Sequence, residues 1–228
     1  MNLVYQGKTK DVYEYQDGLY LLKFKDDVTG SEGVFDPGAN QVGLTIDGMG
    51  LSNLKMSSFF FQRLLEANIE SHYVSSDLNE KTMIVHKVKP FGNGLEVICR
   101  YRAVGSFIRR YGQYISNEAA LDGYVEFTLK DDRRNDPLIT KEGLLALGIV
   151  NTQQYDRLVA LTQQISSLIK DILATKGLEL YDIKLEFGTL ENGTIVLMDE
   201  LSAGNMRVYK DGKSIQPLEL EKLLLGGE

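Results

Sequence analysis

Residues 181–207 carry carboxylates and lysine in an arrangement that could do chemistry, beginning with charged and apolar residues that alternate over 182–187. Asn192-Gly193 stands between two apolar runs, which predicts a two-residue hairpin turn. Counting back from that turn sets Glu186 across from Asp199. Asp182, Lys184 and Glu186 alternate with Ile183, Leu185 and Phe187, so the three charges share one strand face, and Asp199 joins them. Carboxylates facing each other across a ladder repel. A divalent cation held by both would offset the repulsion, because hard cations take carboxylate oxygens. A bulge that shifts the register, or Lys184 neutralising the pair at a solvated sheet end, would offset it too. The spacing alone leaves these readings open.

Two further groups could handle anions. Gly7-Lys8-Thr9-Lys10 falls at the bend between strands predicted at 2–5 and 11–15. A glycine bend lets backbone N–H groups approach a polyphosphate, and Lys8 and Lys10 add positive charge. Two solvated loop lysines would look the same, and no G-x-x-x-x-G-K-[ST] loop is present. Arg100 and Arg102 end a strand predicted over 95–102, just before Gly105-Ser106. Ser106 reads as the cap of a short helix closed by Gly112, and guanidinium groups beside free N–H groups make an anion site. The bland alternative is a solvated arginine cluster, with Arg109 and Arg110 on the surface. The charge-dense run from Lys130 to Pro137 reads as a solvated loop. Carboxylates, lysines and arginines in these places suit a metal–nucleotide site beside a phosphate-bearing substrate. Such chemistry needs positioning and charge neutralisation more than a side-chain nucleophile.

The elements that must position these residues follow from periodicity. Strands are expected at 2–5, 11–15 and 19–25, then at 71–74, 82–88, 95–102 and 124–129. Residues 26–50 hold six glycines and one proline with little periodicity, and read as a loop that is either a lid near a ligand, the favoured reading, or a tolerated surface insertion. Ser52 or Asn53 is expected to cap a helix to about residue 67. Thr140 opens a short helix, and Thr152 caps the longest one, to about residue 176, with Gly177 behind it. That helix is expected to cover the sheet holding the 181–201 hairpin, and a weak helix is expected at 218–225. His72 and His86 lie in no recognisable triad and read as structural.

The 228-residue chain is long enough for one large or two small domains, and residues 90–94 form the candidate boundary. Net charge −7 argues against nucleic acid or an anionic membrane as partner, and no apolar run is long enough to span a bilayer. The single cysteine, Cys99, excludes an internal disulfide framework. Cytoplasm is the expected location.

At this point the chain resembles a known family, the phosphoribosylaminoimidazole-succinocarboxamide synthases (SAICAR synthetases), along nearly its whole length. Residues 7–13 are similar to the family's GKxKDxY, residues 95–106 to its arginine-ended strand with Gly-Ser following, and residues 130–137 to its KND…DP loop. The most specific match is Asp182-x-Lys184-Leu185-Glu186-Phe187-Gly188 to DFKLEFG; Asp199-Glu200-x-Ser202…Arg207 resembles DE-x-S-P-D-x-x-R.

The resemblance implies an α+β fold of two lobes: a small β-rich N-terminal lobe (1–90) that binds nucleotide, and a larger α+β lobe (91–228) with the metal and substrate sites. ATP is expected in the cleft between them. It also implies an ATP- and Mg²⁺-dependent ligase that joins the amine of L-aspartate to the carboxylate of carboxyaminoimidazole ribonucleotide. Its partners are then small molecules, with a homodimer left open. Gly7, Lys8, Thr9 and Lys10 would bind ATP, and Glu186 with Asp199 would hold Mg²⁺. Arg100, Gly105, Ser106, Ser202 and Arg207 would bind the ribonucleotide, and Lys130, Asp136, Asp182 and Lys184 would line the reaction centre.

The chain departs from the family at Ser202-Ala203-Gly204, where a carboxylate is missing, at Met49, which replaces a lysine, and at Tyr101-Arg102, which replace an Asn-plus-aromatic pair. Its tail lacks the arginines of R-F-R-R-D-L-G-G, one of which would reach the ribonucleotide phosphate; Arg102 and Lys222 are the stand-ins that charge alone offers. These departures leave room for a diverged ligase or small-molecule kinase with another acceptor. Retention of Asp182, Lys184, Glu186 and Asp199 together argues against a non-catalytic nucleotide-binding module.

Overall fold

A computed structural model describes residues 1–31, 34–37 and 41–226. The chain folds into two compact units that share it unevenly. The first takes Met1–Lys89, Gly188–Asn205 and Gln216–Glu228, and the second takes Pro90–Phe187 and Met206–Ile215. The first break thus falls beside the expected boundary. The later residues, however, do not all stay in the second unit as a single cut at residue 90 would have them.

The first unit begins with β1 (Leu3–Gln6), β2 (Lys10–Glu14), β3 (Leu19–Phe24), β4 (Asp27–Ser31), β5 (Val34–Phe35) and β6 (Val42–Thr45). Helix α1 (Met49–Glu66), β7 (Tyr73–Asp77) and β8 (Thr82–His86) follow, and β9 (Lys89–Pro90) lies at the break. Five of these strands form an antiparallel sheet in the order β1-β2-β3-β8-β7, with Leu22, Phe24, Met83 and Val85 buried. Helix α1 packs on β3 and β7 through its apolar stripe, in which Met56, Phe60, Phe61 and Leu64 are buried.

The stretch read as an unstructured lid instead contains a three-stranded sheet, β5-β4-β6; residues 32, 33 and 38–40 of that stretch lie outside the described residues. Helix α1 also starts earlier than expected. Gly48 takes a left-handed φ of 82°, and Asp26 accepts from the Gly50 N–H at 2.7 Å, so a carboxylate distant in sequence caps the helix. Ser52 and Asn53, expected as caps, are buried inside it.

The second unit is built on β10 (Leu95–Arg102), α2 (Gly105–Tyr111), β11 (Ala120–Leu129), β12 (Leu138–Ile139), α3 (Lys141–Ala146), α4 (Thr152–Ala174) and β13 (Glu179–Thr189). The chain then forms β14 (Ile195–Met198), β15 (Met206–Lys210), β16 (Lys213–Ser214) and α5 (Pro217–Leu225). The strand order in this unit is β12-β11-β10-β13-β15-β16. Val97 and Cys99 of β10 pair with Phe127 and Val125 of β11 on one side, and with Leu185 and Ile183 of β13 on the other. Those residues form the apolar face, and α4 covers it with Leu158, Ile165 and Ile169 buried. Asn151, not Thr152, caps α4, in a reciprocal capping box with Gln154.

In the first unit the hairpin turn holds three residues rather than two. Leu190 N–H bonds the Thr194 carbonyl and Gly193 N–H bonds the Leu190 carbonyl, both at 2.9 Å, with Gly193 at φ 83°. The extra residue shifts the register by one, as the bulge alternative allows, and Asp199 lies past the end of β14 at φ 68°. The count that set Glu186 opposite Asp199 therefore does not hold.

Candidate functional site

The sheet face of the second unit opposite α4 is charged because its strands place every second residue there. Glu96, Ile98 and Arg100 of β10 stand across from Glu186, Lys184 and Asp182 of β13. On the far side of β10 stand Thr128, Glu126 and Tyr124, and Arg207 of β15 stands across from Asp182. Glu186 does face a carboxylate, but it is Glu96. Lysines resolve the repulsion: Lys184 donates to Glu96 at 2.7 Å and Lys130 to Glu186 at 2.6 Å. Thr128 donates to the other Glu96 oxygen at 2.7 Å.

Burial opposes the charge on Lys184, but the Glu96 carboxylate outweighs it and raises the ammonium above its ordinary value. Asp136, whose carboxylate accepts from the Asp131 N–H at 2.7 Å, is raised as well, by burial first and then by Glu96, which for a carboxyl favours the neutral form. Lys130, Asp136, Lys184 and Glu186, expected at the reaction and metal centres, are thus linked through Glu96, which the sequence reading missed. The alternation Glu96-x-Ile98-x-Arg100 carried the signal.

A second cluster surrounds Arg100, only 1% exposed. Its Nη1 donates to Asp182 at 2.7 Å, its Nη2 to Ser106 at 2.8 Å, and its Nε and Nη2 to Glu126 at 2.9 and 2.7 Å. Arg207 donates to the same Asp182 oxygen at 2.8 Å. Gly105 makes this possible. Its φ is 56°, and a Cβ there would lie 2.8 Å from the Arg207 Cζ, so only glycine lets that guanidinium lie against the start of α2.

Ser106 does not cap α2, whose cap position is Val104, because its hydroxyl is taken by Arg100; Gly112 is right-handed at φ −62° and does not end the helix by a left-handed turn. Arg100, Gly105, Ser106 and Arg207 therefore do come together. Arg110, expected to be a plain surface residue, joins them by donating to Glu126 at 2.6 Å. Arg102 turns away, over Tyr181 and 3.7 Å from Glu179, and Lys222 belongs to the other unit.

The first unit holds the third cluster. Gly7 N–H bonds the Lys10 carbonyl at 3.0 Å, and a Cβ on Gly7 would collide with that carbonyl. Lys8 sits part-exposed in the same turn. Lys10 reaches Asp199 at 2.8 Å, Glu200 at 2.9 Å and Thr9 Oγ1 at 3.3 Å. Burial works against its charge, yet the two carboxylates prevail and raise its pKa well above the ordinary lysine range. Glu200 also accepts from Thr9 at 3.2 Å and from the buried Ser202 hydroxyl at 3.1 Å; that hydroxyl accepts in turn from the Gly204 N–H at 3.0 Å. Ser202 therefore serves the loop itself. His72, as expected of a structural histidine, is buried with Nε2 3.0 Å from the Asp199 carbonyl, and burial pushes its pKa down to about 4.

Paired acid–base clusters on the sheet face of the second unit, and a lysine-bearing glycine turn in the first, are arrangements of the kind found in enzymes of small anionic molecules. The family model for SAICAR synthetase matches residues 3–223, and the chain belongs to that family. A Clostridium tetani protein named phosphoribosylaminoimidazole-succinocarboxamide synthase is 60% identical over 226 residues, covering 99% of this chain and 100% of its own. Among solved structures, a SAICAR synthetase in complex with ADP superposes with a TM-score of 0.86 at 27% identity, covering 98% of both chains. The synthase of Ehrlichia chaffeensis superposes with a TM-score of 0.84 at 25% identity, covering 97% of this chain and 90% of its own. The fold is accordingly the mixed α+β fold expected. No described helix is long and apolar enough to cross a membrane.

Proposed function

We propose that the chain is an ATP-dependent ligase of purine biosynthesis that joins the amine of L-aspartate to the carboxylate of carboxyaminoimidazole ribonucleotide. The observation that carries this is likeness to a synthase of that name over the full length of both chains. A carboxylate is a poor acyl donor. ATP converts it to an acyl phosphate, and the amine then displaces phosphate. The gain comes from aligning the partners and neutralising charge.

In this reading Gly7, Lys8, Thr9 and Lys10 receive the ATP phosphates, and Arg100, Gly105, Ser106 and Arg207 belong to the ribonucleotide site, while Ser202 braces Glu200 within its own loop. Asp182 orients Arg100 and Arg207, while Lys130 and Lys184 neutralise the transferring phosphoryl group. Asp136, its carboxyl already raised, is suited to accept the proton of the attacking amine.

Glu186 and Asp199 are the residues assigned to Mg²⁺. The donor chemistry fits, because both carboxylates already hold an ammonium, from Lys130 and Lys10. No three His, Cys, Asp or Glu among the described residues form a ready cage, and magnesium commonly takes its other ligands from phosphates and water. When bound, the ion supplies charge neutralisation to the phosphates. The reading places the protein in the cytoplasm and leaves a homodimer to be decided by sedimentation.

The test is ADP release by the purified protein with ATP, Mg²⁺, aspartate and the carboxylated ribonucleotide, with the amide product detected by mass. Glu186→Gln and Asp199→Asn should raise the magnesium needed for half-maximal rate. ADP release with a different acceptor only, or none at all, overturns the proposal.

A further inference from the structure

Lys10 is shared unequally between its two carboxylates. The Asp199 side chain is 30% exposed, whereas that of Glu200 is only 6% exposed. Glu200 also has both oxygens occupied. Its Oε1 accepts from Lys10 Nζ at 2.9 Å and from Thr9 Oγ1 at 3.2 Å, and its Oε2 accepts from the Ser202 hydroxyl at 3.1 Å. Ser202 is braced in turn: its hydroxyl accepts from the Gly204 N–H at 3.0 Å, and its own N–H donates to Asn205 Oδ1 at 2.9 Å. The Asn205 side-chain amide then donates back to the Glu200 carbonyl. Glu200 is thus fixed at both its side chain and its backbone by a loop that closes on itself.

An ammonium has three N–H donors, and three acceptors lie within reach of Lys10: Asp199 at 2.8 Å, Glu200 at 2.9 Å and Thr9 Oγ1 at 3.3 Å. Thr9 belongs to the same turn as Lys10, so Glu200 is the anchor that ties the turn to the rest of the unit. Asp199 stands on the side that solvent reaches, and it is the carboxylate assigned above to Mg²⁺. An anionic oxygen arriving at the turn can take the place of Asp199 on the ammonium and leave the Glu200 anchor intact.

We propose that Glu200 is the positioning residue of Lys10, holding its ammonium toward the nucleotide phosphates while Asp199 gives up its place there. This rests on the function proposed above, in which Lys10 receives ATP phosphates. A long lysine side chain loses rotamer freedom when it grips an anion, and the anchor removes that freedom before the nucleotide arrives. Charge alone predicts the reverse, because a carboxylate beside a polyphosphate repels it and its removal would tighten binding.

The test is ADP binding by calorimetry with Mg²⁺ present, for wild type, Glu200→Ala, Glu200→Gln, Lys10→Met and each Glu200 change combined with Lys10→Met. Glu200→Ala should raise the Kd for ADP about tenfold or more, the scale of a charge-assisted hydrogen bond. Glu200→Gln keeps a neutral acceptor and nearly the same shape, so it should raise the Kd by a smaller factor. Lys10→Met should weaken binding too, and in that background neither Glu200 change should weaken it further, since Glu200 acts through Lys10. In the ligase assay the Glu200 variants should raise KM for ATP and leave KM for the ribonucleotide in place.

The same loss with and without Lys10 would make Glu200 a brace of its own loop and overturn the proposal. Tighter or unchanged ADP binding by the Glu200 variants, or unchanged binding by Lys10→Met, would overturn it as well. If Glu200→Ala does not fold, the near-isosteric Glu200→Gln decides by the same cycle. A wild type that binds ADP but makes no amide product defeats the ligase reading alone, and the binding cycle still decides the role of Glu200; a wild type that binds no ADP overturns the proposal itself.

Discussion

Lys10 neutralises two carboxylates at once. Asp199 and Glu200 are neighbours in sequence, and Glu200 is buried, so without the ammonium two like charges would stand together in a poorly solvated turn. Removing one member of a buried ion pair costs roughly 3 kcal/mol or more, because the other charge stays behind. Lys10→Met should accordingly lower the free energy of unfolding by that order. Adding Glu200→Gln should restore part of it, and simple additivity of the two changes in chemical denaturation would show that the charges do not interact. At this scale the sequence announced Lys10 and Asp199 through their motifs. It gave no hint that they meet, since 189 positions separate them. Glu96 and Glu126 were missed for the same reason: a charge on a strand acquires meaning only once its neighbouring strands are known.

Single elements were legible where their signal was local. Strand β10 runs over the residues expected of it, since an alternating run bounded by glycine and a Gly-Ser pair needs no outside help. Helix α1 was displaced because its cap comes from Asp26, and the turn before β14 was miscounted because Asn-Gly also serves a three-residue loop closed by a left-handed glycine. The start of α2 shows how an element can carry a site. Gly105→Ala would force a side chain into a left-handed backbone and against the Arg207 guanidinium. It should raise KM for the ribonucleotide several-fold and leave KM for ATP in place, which initial-rate kinetics will show. Equal damage to both would mean that the unit as a whole is disturbed.

For the whole molecule, the interleaving of the chain matters most. The first unit is completed by residues made late. Leu201 exchanges hydrogen bonds with Ser57 through both its N–H and its carbonyl, His72 N–H bonds the Leu197 carbonyl at 2.8 Å, and α5 packs Leu220 and Leu224 while Lys55 of α1 reaches Glu221. A fragment ending at residue 89 should therefore lack a cooperative thermal transition, although it contains the entire five-stranded sheet. A sharp calorimetric transition in that fragment would refute this. Length left one domain or two open, and the resemblance implied two lobes. They did not reveal that the second is inserted into the first, because no local signal marks a chain's return.

That return sets a delay during synthesis. At ribosomal speeds of about 5–20 residues per second, the first 89 residues wait roughly 5 to 20 seconds before residue 188 is made. Throughout that interval α1 lacks the packing that α5 later gives it, so the nascent chain is a natural client for holding chaperones.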